Sequence, residues 1–244
     1  KGVRLPNGDL LIVYGKAPTL SGGDVVYRRA ATFASILAAP EQIVANSAAV
    51  EGQPLPVLAG NFVVFFFKVT SEWRYRRWNH LTSTWLDAAP VAPPNATANS
   101  LSAAADPAGN VWVALDPPAG INVFRLSPAT NVIDQAFTYT APAANDFTLP
   151  SVAIVGTEPW VFWKAPLMLQ TGRFTGTWEA ATTVPFTTSK DSAPNVTLDD
   201  AGRLVLAFFR EMDNNLSVTY LMCGNPSTAS WGQPMLLAPT SGKD

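Results

Sequence analysis

The chain has 244 residues, 48% of them hydrophobic and only 14% charged, against roughly 25% charged in an average globular domain. Its net charge of −2 leaves no electrostatic footprint for nucleic acid, and the only basic cluster, Arg74, Arg76 and Arg77, is too small to make one. A single cysteine, Cys223, and a single histidine, His80, exclude an intramolecular disulfide and argue against a zinc site or a Cys-His nucleophile, so no metal and no cofactor is expected.

The chain opens at "KGVRLPNGDL", already inside a strand and a turn and without a signal-peptide core, as expected of a fragment of a longer polypeptide. From there one unit recurs. "PNGDLLIVYGK" (6–16) is echoed by "LAGNFVVFFFK" (58–68), "PAGNVWVALDP" (107–117), "VGTEPWVFWKA" (155–165) and "DAGRLVLAFFR" (200–210). Each is a glycine turn followed by a strand dense in aliphatic and aromatic residues. The turn glycines Gly8, Gly60, Gly109, Gly156 and Gly202 are separated by 52, 49, 47 and 46 residues. A short segment of mixed polarity precedes each turn, and a third strand follows each dense one: "DVVYRRA", "EWRYRRW", "INVFRLS", "LMLQTGRF", "NLSVTYLM". A last strand is opened by tryptophan in "STWLDA", "GTWEAA" and "ASWGQP".

Four antiparallel strands in about 50 residues is the length and content of one β-propeller blade. The sequence therefore predicts a single all-β propeller domain over 1–244. Its five visible blades fall near 1–50, 51–98, 99–147, 148–192 and 193–240. No segment sustains a 3.6-residue apolar period, and 21 prolines and 16 glycines interrupt the chain throughout. Blades packed face to face would cover their second strands on both sides, so these strands read as unbroken apolar runs. No run is longer than the six residues of "FVVFFF" (62–67), far short of the ~20 residues that span a bilayer as a helix. It is assigned to the core, and no membrane insertion is expected.

With second and third strands aligned, the unit resembles the sialidase-like repeat that carries the Asp-box. "YRRWNHLTSTW" (75–85), "LQTGRFTGTW" (169–178) and "VTYLMCGNPSTASW" (218–231) keep its aromatic-Arg strand and closing Thr-Trp or Ser-Trp, and "RLPNGDLLIVYG" with "GGDVVYRRA" keeps its first half. The Asp whose side chain would organise the hairpin is missing, so the resemblance is to a degenerate relative. It implies a propeller that commonly has six blades, so that further blades would lie outside this chain. It also implies a chemistry of three carboxylate-clamping arginines, a Tyr-Glu nucleophile pair and an Asp acid. Arg4 in "VRLPNG" is the counterpart of the first arginine, but Pro6 abuts the turn, which places Arg4 near a strand end. No catalytic residue is assigned.

The remaining arginines, Arg28, Arg29, Arg76, Arg77, Arg125 and Arg173, recur on the third strands. That regularity points to structural bridging, with ligand clamping, by Arg29 and Arg77 foremost, as the alternative. Glu72 and Glu211 fall in equivalent loops, and with Asp116 they outline an acidic rim. "EWRYRRW" places Trp73, Tyr75 and Arg77 on one face of a strand and Arg74, Arg76 and Trp78 on the other. Trp73, Tyr75, Arg77 and Trp78 can stack on sugar rings or on a partner's surface, and Trp73 or Trp78 would lie near any exposed edge. Three sequons, at Asn95, Asn195 and Asn215, are read as accidental, because Asn195 falls in an inner strand. The composition, rich in Ala, Thr and Pro, fits a bacterial or phage protein.

These readings converge on a non-catalytic recognition or scaffolding propeller in a larger extracellular or particle-borne protein, binding a glycan or protein and joined to other domains. A sialidase-like glycoside hydrolase and a purely structural assembly module are the alternatives.

Overall fold

A computed structural model describes residues 1–16, 23–47, 49, 51–212 and 216–238. The first sheet is built from β1 (Gly2–Arg4), β2 (Leu10–Lys16), β3 (Asp24–Ala30) and β4 (Gln42–Ala45), with one helical turn, α1 (Phe33–Ile36), before its last strand. The second contains β5 (Glu51–Ala59), β6 (Phe62–Val69), β7 (Glu72–Asn79) and β8 (Thr84–Trp85). The third contains β9 (Leu101–Ala105), β10 (Val111–Leu115), β11 (Gly120–Ser127) and β12 (Val132–Thr140). The fourth contains β13 (Thr148–Val155), β14 (Glu158–Lys164), β15 (Leu169–Arg173) and β16 (Thr182–Thr183). The fifth contains β17 (Asp191–Leu198), β18 (Leu204–Glu211), β19 (Ser217–Asn225) and β20 (Ser230–Trp231), and β21 (Met235–Ala238) also pairs with β19. In every sheet the strands neighbour one another in chain order.

The chain forms two compact units. One comprises Lys1–Ala98 with Pro107–Val111 and Ser127–Val132, the other Asn99–Asp106, Trp112–Leu126 and Ile133–Asp244. In the first unit Leu11, Val13, Val25, Tyr27 and Val44 pack against Val63, Phe65, Phe67 and Trp78, so the first and second sheets share one core. The second unit has two cores. Trp112, Ala114, Ile121 and Val123 meet Val161 and Trp163 in one, and Trp160, Phe162 and Leu169 meet Leu204, Leu206, Phe208 and Met222 in the other. Successive side chains of β14 thus enter opposite cores, because side chains alternate across a strand. Both faces are covered, and the strand is apolar without interruption.

β6 and β10 are buried in the same continuous way, as expected. β2 and β18 depart from the expectation. Their residues alternate between buried and half-buried, the pattern of a strand fully covered on one face only.

The first strands of the second, fourth and fifth sheets each carry a bulge, with Gln53, Leu149 and Ala193 at φ of 51°, 56° and 48°. A proline follows each one, at 54, 150 and 194. The extra residue bends the strand and removes a ladder donor where proline has none to give.

The hairpins between third and fourth strands keep the geometry that the missing Asp would have supplied. Asn79 Oδ1 accepts from the backbone N–H of Leu81 (3.0 Å) and Thr82 (3.3 Å), and Asn225 Oδ1 accepts from Ser227 N–H (3.0 Å). An asparagine carbonyl closes the Asx-turn as a carboxylate does. Trp85 and Trp231 end short strands that the sequence reading had them opening, and Trp178 forms only an isolated bridge to Phe174. Asn195 lies in β17 as expected, though its side chain is exposed, and Asn215 lies outside the described residues.

In the first sheet Glu41 gathers three donors: Lys16 Nζ at 2.7 Å, Arg28 Nη2 at 3.0 Å and Tyr14 Oη at 2.9 Å. Its carboxyl is pulled from an ordinary 4.5 to about 2, chiefly by the Lys16 and Arg28 hydrogen bonds. A carboxylate with a depressed pKa stabilises the fold above its unfolded pKa, and that contribution disappears as pH falls through the folded value. Glu41→Gln is therefore expected to lower the urea midpoint above pH 4.5, with the gap from the wild type closing as pH approaches 2. A gap that stays constant with pH would refute this role.

Candidate functional site

Arg29, Arg77, Arg125 and Arg173 stand 48 residues apart and occupy the third strands β3, β7, β11 and β15. Most of their hydrogen-bonding capacity is taken up internally. Arg29 Nε donates to Asp9 (2.7 Å) and its Nη1 to the His80 carbonyl (3.3 Å). Arg77 holds Asp87 through Nε and Nη2 and reaches the Pro128 carbonyl at 2.8 Å. Arg125 grips Asp134 bidentately at 2.8 and 2.6 Å. Arg76, beside Arg77, donates to the carbonyls of Asp87 (3.1 Å) and Val44 (2.9 Å), and its guanidinium lies 4.1 Å over the Trp85 ring.

Arg173 differs. Its Nε donates to Glu179 Oε2 at 2.6 Å and its guanidinium lies 5.3 Å over the Trp160 ring, while neither Nη group has a hydrogen-bond partner among the described residues. The pair keeps both charges: the hydrogen bond from Arg173 holds the Glu179 carboxyl below its usual range, and Glu179 raises Arg173 in turn. Arg173 lies along a cleft of about 260 Å³ between the fourth and fifth sheets, which Trp160, Thr171, Glu179 and Trp231 also line. Register explains the grouping. Trp160 is paired with Arg173 and Phe162 with Thr171 across β14 and β15, so all four side chains share one face. Gly172, between them, turns to the other face, where any Cβ would collide with the Tyr139 hydroxyl.

Two polar atoms of this cleft's lining are unsatisfied. Trp160 Nε1 and Thr171 Oγ1 are buried with no hydrogen-bond partner, and each residue is only 5% exposed. Buried polar groups are nearly always paired, and Trp163 Nε1 and Gln170 Oε1 are the other two such orphans among the described residues. Trp231 closes the cleft from the fifth sheet, half-buried, its ring packed on Gly224 and edge-on to Phe162 at 5.8 Å.

The side chains singled out from sequence lie elsewhere. Trp73, Tyr75, Arg77 and Trp78 are all buried, at 3%, 1%, 7% and 2% exposure. Trp73 Nε1 donates to the Ala98 carbonyl and Tyr75 Oη to Asn131 Oδ1. Trp78 sits in the core shared by the first two sheets. Neither Trp73 nor Trp78 marks an exposed edge, because both faces of β7 are covered. Asp116 cannot belong to a solvated acidic rim, since it is 2% exposed and accepts from Ser100 Oγ (2.8 Å) and the Leu149 N–H (3.1 Å). Glu72 pairs with Arg74 at 2.5 Å, and Glu211 ends β18 exposed. Arg4 ends β1, exposed, with Nη1 on the Gly8 carbonyl. Sequence reading grouped Arg173 with the bridging arginines. The signal that sets it apart is its short hairpin, "RFTGTWE", in which the carboxylate comes six residues later, against ten for Arg77 and nine for Arg125.

Among the described residues, no group of His, Cys, Asp and Glu could hold a metal, and no helix is long and apolar enough to cross a membrane.

Five four-stranded antiparallel sheets with these shared cores define a β-propeller. No protein-family model matches the sequence, and no curated protein matches it. Its fold is similar to that of several solved structures. An ulvan lyase of polysaccharide lyase family PL25 has a TM-score of 0.63 at 12% identity, over 97% of this chain and 69% of the lyase. The Hadza microbial sialidase Hz136 has a TM-score of 0.58 at 10% identity, over 98% of this chain and 58% of its own. An α-L-arabinofuranosidase from Clostridium thermocellum has a TM-score of 0.53 at 11% identity, over 96% and 92%. Likeness at this level of identity concerns the fold.

Proposed function

We propose that this chain is a non-catalytic recognition propeller that binds a glycan, within a larger extracellular or particle-borne protein. The observation that carries the reading is the cleft between the fourth and fifth sheets, where Trp160 and Trp231 form an aromatic wall beside the Arg173–Glu179 pair. Sugars present apolar ring faces to aromatic side chains and hydroxyls to fixed donors and acceptors, and this cleft offers both. The fold's similarity to glycan-active enzymes agrees with it.

The sialidase-like alternative needs a tyrosine activated by a carboxylate. Tyr14 and Glu41 are such a pair in composition, 2.9 Å apart. Burial first, and then the hydrogen bond to Glu41, push the Tyr14 hydroxyl up, while Glu41 is held at about 2. A carboxylate that acidic is a poor base for a phenol that reluctant to ionise. A fluorogenic sialoside is accordingly expected to remain unhydrolysed.

The binding test is a glycan array followed by titration calorimetry of the best ligand. Trp231→Ala is expected to weaken that ligand by roughly thirtyfold, about 2 kcal/mol, as for an aromatic hot spot. Phe33→Ser, on the exposed side of α1, should leave affinity unchanged. Sialoside turnover, or array binding indifferent to Trp231, would overturn the proposal.

A further inference from the structure

We infer that the cleft between the fourth and fifth sheets takes a single neutral sugar ring with adjacent hydroxyls, and discriminates against acidic sugars. The inference rests on the glycan reading above and specifies its ligand.

The charges decide the class. Among the described residues Arg173 is the one cation lining the cleft, and it is already paired with Glu179. Glu158 acts on it as well, from a second depression of about 460 Å³ that Arg173 also lines. One guanidinium facing two carboxylates has no surplus positive charge to offer a uronate, a sialic acid carboxylate or a sulfate. A neutral diol suits it better. One hydroxyl accepts from the unpartnered Nη groups of Arg173 while another donates to Glu179, the complementary arrangement for a group that is both donor and acceptor. The half-buried Trp231 supplies the stacking surface. At about 260 Å³ the cleft lies below the ~300–1,000 Å³ of pockets for drug-sized ligands, which suits one ring.

The preceding repeat shows that this arrangement is not a by-product of the fold. Between the third and fourth sheets, Trp112 Nε1 donates to Asp106 at 3.1 Å and Arg125 is bidentate on Asp134. Trp178 Nε1 donates to the Gln135 carbonyl, and its ring contacts Phe137, Tyr139 and Phe174. There Trp112, Arg125 and Trp178 each have a hydrogen-bond partner and the rings fill the space, although Trp163 Nε1 in the same core stays unpartnered. In the next repeat the cleft stays open.

The test titrates the full chain, by calorimetry or saturation-transfer NMR, with methyl glycosides of neutral hexoses, 6-deoxyhexoses and pentoses, and with methyl glucuronide and a methyl sialoside. At least one neutral glycoside is expected to bind and the acidic ones not. Glu179→Gln should weaken the neutral ligand tenfold or more. Tighter binding of the acidic sugars, strengthened further by Glu179→Gln, would overturn the inference and leave the glycan reading intact. Glycan binding that survives Glu179→Gln would do likewise. A wild-type chain that binds no sugar in the panel or on the array would overturn both.

Discussion

Phe65→Asp is expected to yield a chain that does not fold. Phe65 is fully buried in β6, with ring centroids 5.5 Å from Tyr27 and 5.6 Å from Trp85, in the core shared by the first two sheets. Arg76, its cross-strand partner, is already stacked on Trp85 and bonded to two carbonyls. An unpaired buried charge, together with the lost ring, costs an amount comparable to the ~5–15 kcal/mol by which a domain is stable. Near-ultraviolet circular dichroism should lose its aromatic signal. Phe65→Leu, which keeps the site apolar, should fold with a loss of about 1–3 kcal/mol. A soluble, cooperatively unfolding Phe65→Asp protein would show that β6 is not core.

Arg77→Ala is expected to destabilise by about 3–5 kcal/mol, because it strands the Asp87 carboxylate in the interior. Both partners are 7% exposed, and the guanidinium also satisfies the Pro128 carbonyl. The apolar double variant Arg77→Met with Asp87→Leu should recover most of the loss, since replacing a buried pair together is far less costly than breaking it. Denaturant unfolding of the two single variants and the double variant gives the coupling directly. The same cycle separates two roles for Arg77. A ligand clamp would lose binding and keep its melting temperature, whereas a structural bridge loses stability and, when the fold is restored by the second substitution, keeps its ligand.

The repeat could be read because its signals are local. A glycine turn ahead of a dense apolar strand recurs five times, and in the structure Gly8, Gly60, Gly109, Gly156 and Gly202 all adopt positive φ, from 57° to 88°. Such a backbone is open to glycine and strained for most other residues. The run Phe62–Phe67 was likewise legible as core, since few environments other than burial on both faces explain it. The absence of the hairpin Asp was legible too, but the conclusion drawn from it was incomplete. Asn79 and Asn225 perform the same turn chemistry, because an amide carbonyl oxygen accepts the turn N–H as a carboxylate does.

The candidate site was much less legible. Trp73, Tyr75, Arg77 and Trp78 drew attention as a dense stripe of residues suited to binding, and the same density is what a doubly covered strand requires. Alternation along a strand says which residues share a face, but not whether that face meets water or another sheet. Asp116 was misread for a related reason: its partners, Ser100 and Leu149, lie 16 and 33 residues away.

The sequence by itself determined the blade-sized unit, its four strands, the apolar second strand and the arginine on the third, since turn preference and side-chain alternation act over a few residues. Tertiary structure alone decided that Arg173 has no hydrogen-bond partner on either Nη among the described residues, and that Trp160 keeps an unpartnered N–H where its repeat counterpart Trp112 does not. Those properties depend on the distance to a carboxylate or carbonyl brought in by another segment. Trp112 and Trp160 are equivalent in the repeat, but Asp106 reaches only the first. The rings of Phe137, Tyr139 and Trp178, brought together from different segments, fill the space in the earlier repeat.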